Sequence, residues 1–500
     1  MVLLFSFSPL LWDVATTNEV YSLNILFCIL TLFLSLYWYK TSSDKTFFLT
    51  FFVSGLGFCH HLSTLFPFLA FLFLLIVKNP KILFNGRRVF LVITLFLLSL
   101  TFYLYLPIRA SQEPIANWGD PSNWTNFKKH ITGWMYQNWM FQETQEQFLL
   151  RADHFFQLLK SQFHILVFPL SILGFFYLLK KNFQLLIFFL IVFLLTAIYG
   201  INYYIEDIEY YFLPVFLITI IFAFSGLVLV QKTIEKLCQW INTSFILRKW
   251  IVFGLLSFYL FFPLLSIKSN YFYQDKSQNY FAYDFVKNIL RSAKKDVIIF
   301  TQTWDFYSPW LYLRYVEKLR PDVEMFNFFL LDWDWYQKYI QKNYVNTYIL
   351  SKEEFENFQE VQKRFIENPD EYKSESDVAY SQLINSIIFK NIERKPIYLT
   401  ILEGNIRPKG TETIPEGALF RLSLKLNYND YDFPNLELRN LTNPKVFKDK
   451  RAISYITLYP TMYYNRGMYL SYFKKGIEAN EFFVQYQVLK KEISLVEKKE

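Results

Sequence analysis

The stretch Tyr103-Leu-Tyr-Leu-Pro-Ile-Arg109, followed by Asn117-Trp-Gly-Asp-Pro-Ser-Asn-Trp124, is the most informative part of the chain. Residues 89–108 carry no charge, which predicts a membrane helix that ends by bringing Arg109 and several aromatic rings to the water boundary. A guanidinium offers a planar fork of donors to a phosphate, and indoles pack on sugar faces or lie among lipid headgroups. The pattern predicts either a site for a lipid-linked anion or an interfacial anchor followed by a capped loop.

Composition divides the chain into two parts. Its 500 residues are 53% hydrophobic and include 57 Phe and 36 Tyr. Apolar runs of membrane-spanning length recur up to about residue 267, and mixed, charged segments follow. We therefore expect an α-helical polytopic membrane domain over 1–267, an extracytoplasmic, soluble α/β domain over 268–450 and a helical tail over 451–500.

The charge pattern predicts a topology. Basic residues fall in the short loops between apolar runs, which marks those loops as cytoplasmic, so the net charge of +8 does not indicate nucleic-acid binding. An apolar stretch at 47–77 has basic flanks on both sides and predicts an out-and-back hairpin. The outer loop 108–162 and everything after residue 268 then share the non-cytoplasmic face. The eight predicted spans are 20–39, 47–59, 62–77, 88–107, 163–179, 183–203, 209–230 and 250–267.

The start of the chain is unusual. Val2 to Trp12 is apolar but too short to cross a membrane, and a polar turn, Asp13–Glu19, follows at once. We expect these residues to be the last half of a truncated first helix.

The second half has the pattern of an α/β fold. Helical periodicity over 280–293, a strand at 296–301, a helix at 309–319 and a strand from Val323 to about Phe329 predict a βαβ unit and a small parallel sheet. Further predicted elements are a helix at 352–365, strands at 396–401 and 418–425, and two or three helices over 455–496.

Few standard catalytic motifs occur. Asp332-Trp-Asp334 is a short D-x-D of the kind that holds a metal and a nucleotide sugar, but a surface loop explains it as well. Adjacent histidines on a helix point about 100° apart, so His60 and His61 favour helix capping or a substrate hydrogen bond over a shared metal. Asp305 follows a strand at a sheet edge where ligands bind, or it forms a turn. We predict no metal site.

Glu19 lies at the mouth of the first full span, just before Val20-Tyr21. A carboxylate half out of water costs free energy unless it has a partner or a task. Glu19 is thus either a functional acid or a helix-start residue favoured by the helix dipole.

Several of these segments together resemble one family. They are Phe7-Ser-Pro-Leu-Leu-Trp12 with Glu19-Val-Tyr-Ser-Leu-Asn24, the Gly-Leu-Gly turn that leads to His61-Leu-Ser, Leu104-Tyr-Leu-Pro-Ile-Arg-Ala110 with Asn117-Trp-Gly-Asp-Pro121, Tyr210-Tyr-Phe-Leu-Pro214, Arg320-Pro-Asp-Val323 and Lys395-Pro-Ile-Tyr398. In this order they resemble the family catalogued as domain of unknown function 2723, which is similar to multi-span C-type glycosyltransferases. Its vertebrate members resemble secretory-pathway protein O-mannosyltransferases.

The resemblance implies a membrane glycosyltransferase that moves a mannose-like sugar from a polyprenyl-phosphate donor to a protein or envelope acceptor on the outer face. Arg109 would hold the phosphate, and Asn117, Trp118 and Asp120 would orient the sugar. Tyr21 and His61 would contact substrate, and Glu19 is the candidate catalytic residue, which would bind acceptor or sugar hydroxyls. No dissociable cofactor is implied.

The resemblance also has departures. Members usually begin with a span and an outer acidic loop that carries the catalytic base, and neither precedes Met1; position 60 is His where the family often has Asn. The main base would then be absent and the chain inactive. The alternative function is a non-catalytic envelope scaffold or a lipid or oligosaccharide transporter. An amino-acid usage rich in Phe, Lys, Ile and Asn and poor in Ala is typical of an AT-rich bacterial genome. It favours a bacterial inner-membrane protein with a periplasmic carboxyl-terminal domain, or an endoplasmic-reticulum protein if the source is eukaryotic.

Overall fold

The chain forms two compact units in a computed structural model that describes residues 1–241, 245–400 and 407–497. The first unit comprises Met1–Gln112 and Pro121–Gln274, and the second comprises Glu113–Asp120 and Asp275–Glu500. A short piece of the predicted outer loop therefore belongs to the second unit.

The regular elements of the first unit, in the residues that the structure describes, are helices joined by loops. Its helices are α1 (Val2–Ser6), α2 (Pro9–Ala15), α3 (Tyr21–Thr41), α4 (Asp44–His60), α5 (Leu65–Lys78), α6 (Gly86–Leu100), α7 (Tyr105–Ala110), α8 (Trp124–Ile131), α9 (Gln145–Gln162), α10 (Val167–Lys181), α11 (Phe183–Ile201), α12 (Ile208–Tyr211), α13 (Leu213–Trp240) and α14 (Phe245–Gln274).

Several of these helices have the length and apolar character of membrane spans. Among the described residues, α3, the segment Gly86–Ala110, α11 and α13 meet both conditions, and α9 with α10 makes a fifth candidate bent by 102°. Each of the eight predicted spans overlaps a helix. The predicted apolar helical region is therefore confirmed, and the number of spans stays a prediction.

The predicted hairpin at 47–77 corresponds to α4 and α5. The backbone is extended at His61, with φ −155° and ψ 130°, which ends α4. Ring contacts then run in opposite order along the two helices, Phe58 with Phe68 at 5.4 Å and Phe51 with Phe71 at 5.3 Å. The two helices are therefore antiparallel.

Glycines allow α10 and α13 to cross closely. A Cβ at Gly174 would lie 1.8 Å from the backbone oxygen of Phe222, and one at Gly226 would lie 2.0 Å from that of Leu170. Small residues at such crossings are typical of membrane helix pairs.

The second unit joins a small sheet to helices. Its elements are α15 (Phe281–Ser292), β1 (Val297–Thr301), α16 (Trp304–Tyr315), β2 (Val323–Asn327), α17 (Asp334–Asn343), α18 (Val345–Leu350), α19 (Lys352–Glu367), α20 (Pro369–Asn391), β3 (Ile397–Thr400), β4 (Glu412–Glu416), β5 (Leu419–Ser423), α21 (Lys450–Tyr472) and α22 (Gly476–Glu497). The last two helices form the predicted tail.

The described strands form a mixed sheet in the order β2-β1-β3-β5-β4. β1 pairs in parallel with β2 and β3, as the βαβ prediction requires, and its five residues are all buried. β5 pairs antiparallel with β3 and β4, so the sheet is mixed: its β2-β1-β3 part is parallel, and the antiparallel part was not predicted. The general class, apolar helices followed by an α/β unit with a helical tail, is confirmed.

The Arg-Pro-Asp motif at 320–322 fastens α15 to the start of β2. Arg320 donates from Nε and Nη2 to the Asp322 carboxylate at 2.9 and 2.8 Å. Its remaining donors reach the backbone oxygens of Leu290, Ala293 and Lys294. This motif is therefore structural.

Candidate functional site

Two predicted site residues, Tyr21 and His61, lie together in the first unit. Tyr21 begins α3 with a buried ring, and the His61 ring lies 6.0 Å from it. Tyr211 contacts both rings, at 5.5 and 5.0 Å, and Tyr210 lies 5.1 Å from Tyr21. We call Tyr21, His61, Tyr210 and Tyr211 the Tyr–His cluster.

Hydrogen bonds fix the state of His61. Its Nδ1 accepts from the backbone N–H of Ser63 at 3.2 Å and lies 2.9 Å from the Ser63 hydroxyl. That hydroxyl also accepts from the Asn24 amide at 2.9 Å. Burial, and then the charge of His60, lowers the pKa of His61 to about 4.

The ring is therefore neutral at pH 7, and it carries its proton on Nε2 because Nδ1 is an acceptor. His61 therefore caps the turn Leu62–Thr64 through Nδ1, and its Nε2–H is the group that could donate to a ligand.

Several acids act on this cluster. Glu19 is exposed, and its charge acts on the Tyr21 hydroxyl together with that of Asp207. Asp13 accepts a hydrogen bond of 2.5 Å from the Tyr210 hydroxyl. The sequence prediction did not include Asp13, although it stands directly after the Trp12 of the family-like segment.

Arg109 lies in the last turn of α7, at the end of the apolar segment Gly86–Ala110. Its side chain is exposed, and Nη1 donates to Gln112 Oε1 at 2.6 Å. This is the position from which an interfacial guanidinium can reach a phosphate.

The other predicted sugar-orienting residues belong to the second unit. Gly119 and Asp120 take positive φ values of 73° and 41°, which forms a tight turn. Asp120 is 8% exposed and accepts from Lys338 Nζ at 2.6 Å and from Asn117 Nδ2 at 3.0 Å. The carboxylate therefore ties segment 113–120 to α17.

Trp118 packs at the carboxyl edge of the parallel strands. Its ring lies 5.5 Å from Trp304, which begins α16 after β1, and 4.8 Å from Trp335 in α17, which follows β2. Ligands of α/β sheets bind at this edge. Within the described residues, the buried indole N–H of Trp335 has no hydrogen-bond partner.

The remaining motifs have structural explanations. Asp334 begins α17, where the helix dipole favours a negative charge. Asp305 lies in the first turn of α16, and its backbone oxygen accepts from the Tyr455 hydroxyl at 3.1 Å. In the described part of the chain, no cluster of three His, Cys, Asp or Glu side chains could hold a metal.

Comparison with known families gives two matches. Residues 2–83 match the family model described as the protein O-mannosyl-transferase TMEM260 N-terminal domain, and residues 282–419 match the TMEM260-associated domain 2. No curated protein and no solved structure matches the chain. The first match contains Asp13, Glu19, Tyr21 and His61. The matches support the predicted resemblance to protein O-mannosyltransferases, without supporting the name domain of unknown function 2723 specifically.

Proposed function

We propose that this chain is a membrane glycosyltransferase that transfers a mannose-like sugar from a polyprenyl-phosphate donor to a protein or envelope acceptor. The observation that carries the proposal is the match of residues 2–83 to an O-mannosyl-transferase domain. That stretch contains the Tyr21–His61 contact and the acids Asp13 and Glu19. Several helices are long and apolar enough to cross a membrane, the medium in which a polyprenyl chain dissolves.

We assign the role of catalytic base to Glu19, with Asp13 as the competing candidate. Glu19 is exposed and therefore accessible to an acceptor hydroxyl. Asp13 is less exposed and accepts a hydrogen bond from Tyr210. Neutral His61 would donate from Nε2 to a sugar hydroxyl or phosphate oxygen.

A transfer assay tests this assignment. Membranes that contain the protein are incubated with polyprenyl-phosphate mannose and an acceptor peptide. Glu19→Gln should lower kcat by 10²-fold or more, on the order expected for a general base. Asp44→Asn is the matched control, because Asp44 is an acid at the start of α4 that pairs with Arg88 and is not part of the Tyr–His cluster. If Asp13→Asn abolishes transfer and Glu19→Gln does not, Asp13 is the base, and if neither change lowers transfer the base is another residue. Absence of transfer by the wild-type chain would point to a missing base, a scaffold or a transporter.

Arg109 is the proposed phosphate ligand. Because its side chain is exposed, the charge-assisted contact should be worth about tenfold in donor affinity, the lower end of such contacts. Arg109→Ala should remove this, and Arg109→Lys should recover only part because an ammonium lacks the fork geometry. Donor binding is measured in lipid nanodiscs with Lys128→Ala as the control for an exposed cation in the same loop region. Binding by Arg109→Ala at the wild-type level would place the phosphate elsewhere.

We further propose the predicted topology, with loop 108–162 and residues 268–500 outside the cytoplasm. The support is the positive-inside pattern of the loops. In a bacterium this places the protein in the inner membrane with a periplasmic carboxyl-terminal domain.

A further inference from the structure

The helix α9 does not continue in the direction of α10, the helix that follows it. The two axes differ by 102°. Contacts between α10 and α13 run in the same order along both segments, from Phe163 against Phe216 at 6.4 Å to the Tyr177 hydroxyl, which accepts from Lys232 at 2.8 Å. α10 therefore shares the direction of α13, which has the length and apolar character of a membrane span. Because membrane helices tilt by only about 20° on average, α9 lies closer to the membrane plane than to its normal.

α9 also passes over the end of α13, and this sets its depth. The ring of Phe155, on the buried side of α9, lies 4.8 Å from that of Phe212, the residue directly before α13. His154 Nε2 lies 3.1 Å from the carboxylate of Glu209 in α12, the short helix before α13. Since the end of a span lies at the boundary between hydrocarbon and water, α9 is level with the lipid headgroups.

The exposed side of α9 is divided into an apolar and a polar sector. Phe148, Leu149 and Phe156 are 38%, 60% and 54% exposed. At about 100° per residue, these three lie within about 100° of arc on one side of the helix, and Leu150 lies outside that arc. The exposed polar residues of the adjoining arc are Glu146, Asp153, Gln157 and Lys160. Two such sectors on a helix that runs along the membrane plane are typical of interfacial helices.

We propose that α9 is an interfacial helix whose apolar sector, Phe148, Leu149 and Phe156, is embedded in the lipid headgroup layer at the end of α13. The partner of this surface is the lipid bilayer, rather than a protein or a soluble ligand. α9 carries two acids, Glu146 and Asp153, and two strong bases, Arg151 and Lys160, so burial of apolar side chains and not attraction to anionic lipid holds it there. The inference is separate from the proposed transfer reaction, because it requires neither donor nor turnover.

The test measures the depth of α9 with the full chain in phosphatidylcholine nanodiscs. Leu149→Cys and Phe156→Cys are labelled with a nitroxide, and collisions with oxygen and with a water-soluble nickel chelate give the depth of each label. Both labels should lie about 5–10 Å below the phosphates and at nearly equal depth. Gln157→Cys is the matched control from the polar sector, and its label should remain in water.

These changes should preserve the fold, because both apolar side chains are more than half exposed, and circular dichroism checks this. Labelled wild type corrects for the native cysteines, of which Cys28 and Cys238 are buried. If α9 were part of a crossing span, the labels at 149 and 156 would differ in depth by about 10 Å, the rise of seven helical residues, and the proposal would be overturned. Labels at 149 and 156 as accessible to nickel as the control, or a control label as deep as they are, would also overturn it.

Discussion

The Asp120–Lys338 ion pair offers a direct test of whether Asp120 is structural or binds substrate. We predict that Asp120→Asn loosens the segment Glu113–Asp120, because Lys338 in α17 donates to this carboxylate at 2.6 Å. Asparagine keeps an acceptor for Asn117 and tolerates the positive φ of 41°, so the change removes little besides the charge.

The exposed fractions of the two side chains set the expected free energy of the ion pair. Lys338 is 61% exposed and Asp120 is 8% exposed, so solvent screens one end of the pair. We therefore expect about 1 kcal/mol, the upper end for surface pairs, which corresponds to roughly fivefold faster amide exchange in the segment. Hydrogen–deuterium exchange of the full chain in nanodiscs measures this. Lys338→Met should have the same effect, and the double variant should add little to either single change.

A neighbouring pair supplies the control. Lys342 donates to Glu113 at 2.8 Å, and both side chains are more than half exposed, so Glu113→Gln should leave exchange nearly unchanged. If Asp120→Asn leaves exchange unchanged but weakens binding of polyprenyl-phosphate mannose, Asp120 acts on substrate and the structural argument is refuted.

Three further predictions test the fold and the topology. Hydrogen bonding to the guanidinium of Arg320 lowers the pKa of Asp322 to about 2, so the charge of Asp322 stabilises the second unit above about pH 4, and this contribution is lost as pH falls through 2. The difference in unfolding free energy between wild type and Asp322→Asn, measured by fluorescence in denaturant, should therefore disappear between about pH 4 and pH 2 and persist at higher pH. Gly226→Ala should lower unfolding free energy by about 1–3 kcal/mol because its Cβ would meet Leu170 O, whereas Gly254→Ala, which meets nothing within 4 Å, should not. A reporter that is active only outside the cytoplasm, fused after Lys425, should be active, and a cytoplasm-only signal would contradict the proposed outer-face site.

Local patterns predicted most elements of the second unit. The apolar face of α15 and the buried run of β1 are periodicities that a sequence displays directly, and both lie within a residue or two of their predicted bounds. β4 was missed because Glu412 and Pro415 resemble a loop. Proline is tolerated there because β4 is an edge strand, a position that only the assembled sheet defines.

At the candidate site, the contacts between residues far apart in the sequence could not be predicted from the sequence. Tyr21 and His61 were predicted separately from their motifs, and their contact joins residues at the start of α3 and the end of α4. Asp13 was missed because its partner, Tyr210, lies 197 residues further along the chain. The exposed acid Glu19 was easier to single out, since its place at the mouth of a span is visible in sequence alone.

The resemblance motifs also do not reveal which arginine is structural. Arg320 uses all five of its guanidinium donors on Asp322 and on three backbone oxygens, so nothing remains for a ligand. The Arg109 side chain makes one hydrogen bond, to Gln112, among the described residues and is exposed at the end of an apolar segment. Two arginines in equally family-like motifs therefore differ in the donors they have left, and this difference makes Arg109 the better candidate for a phosphate.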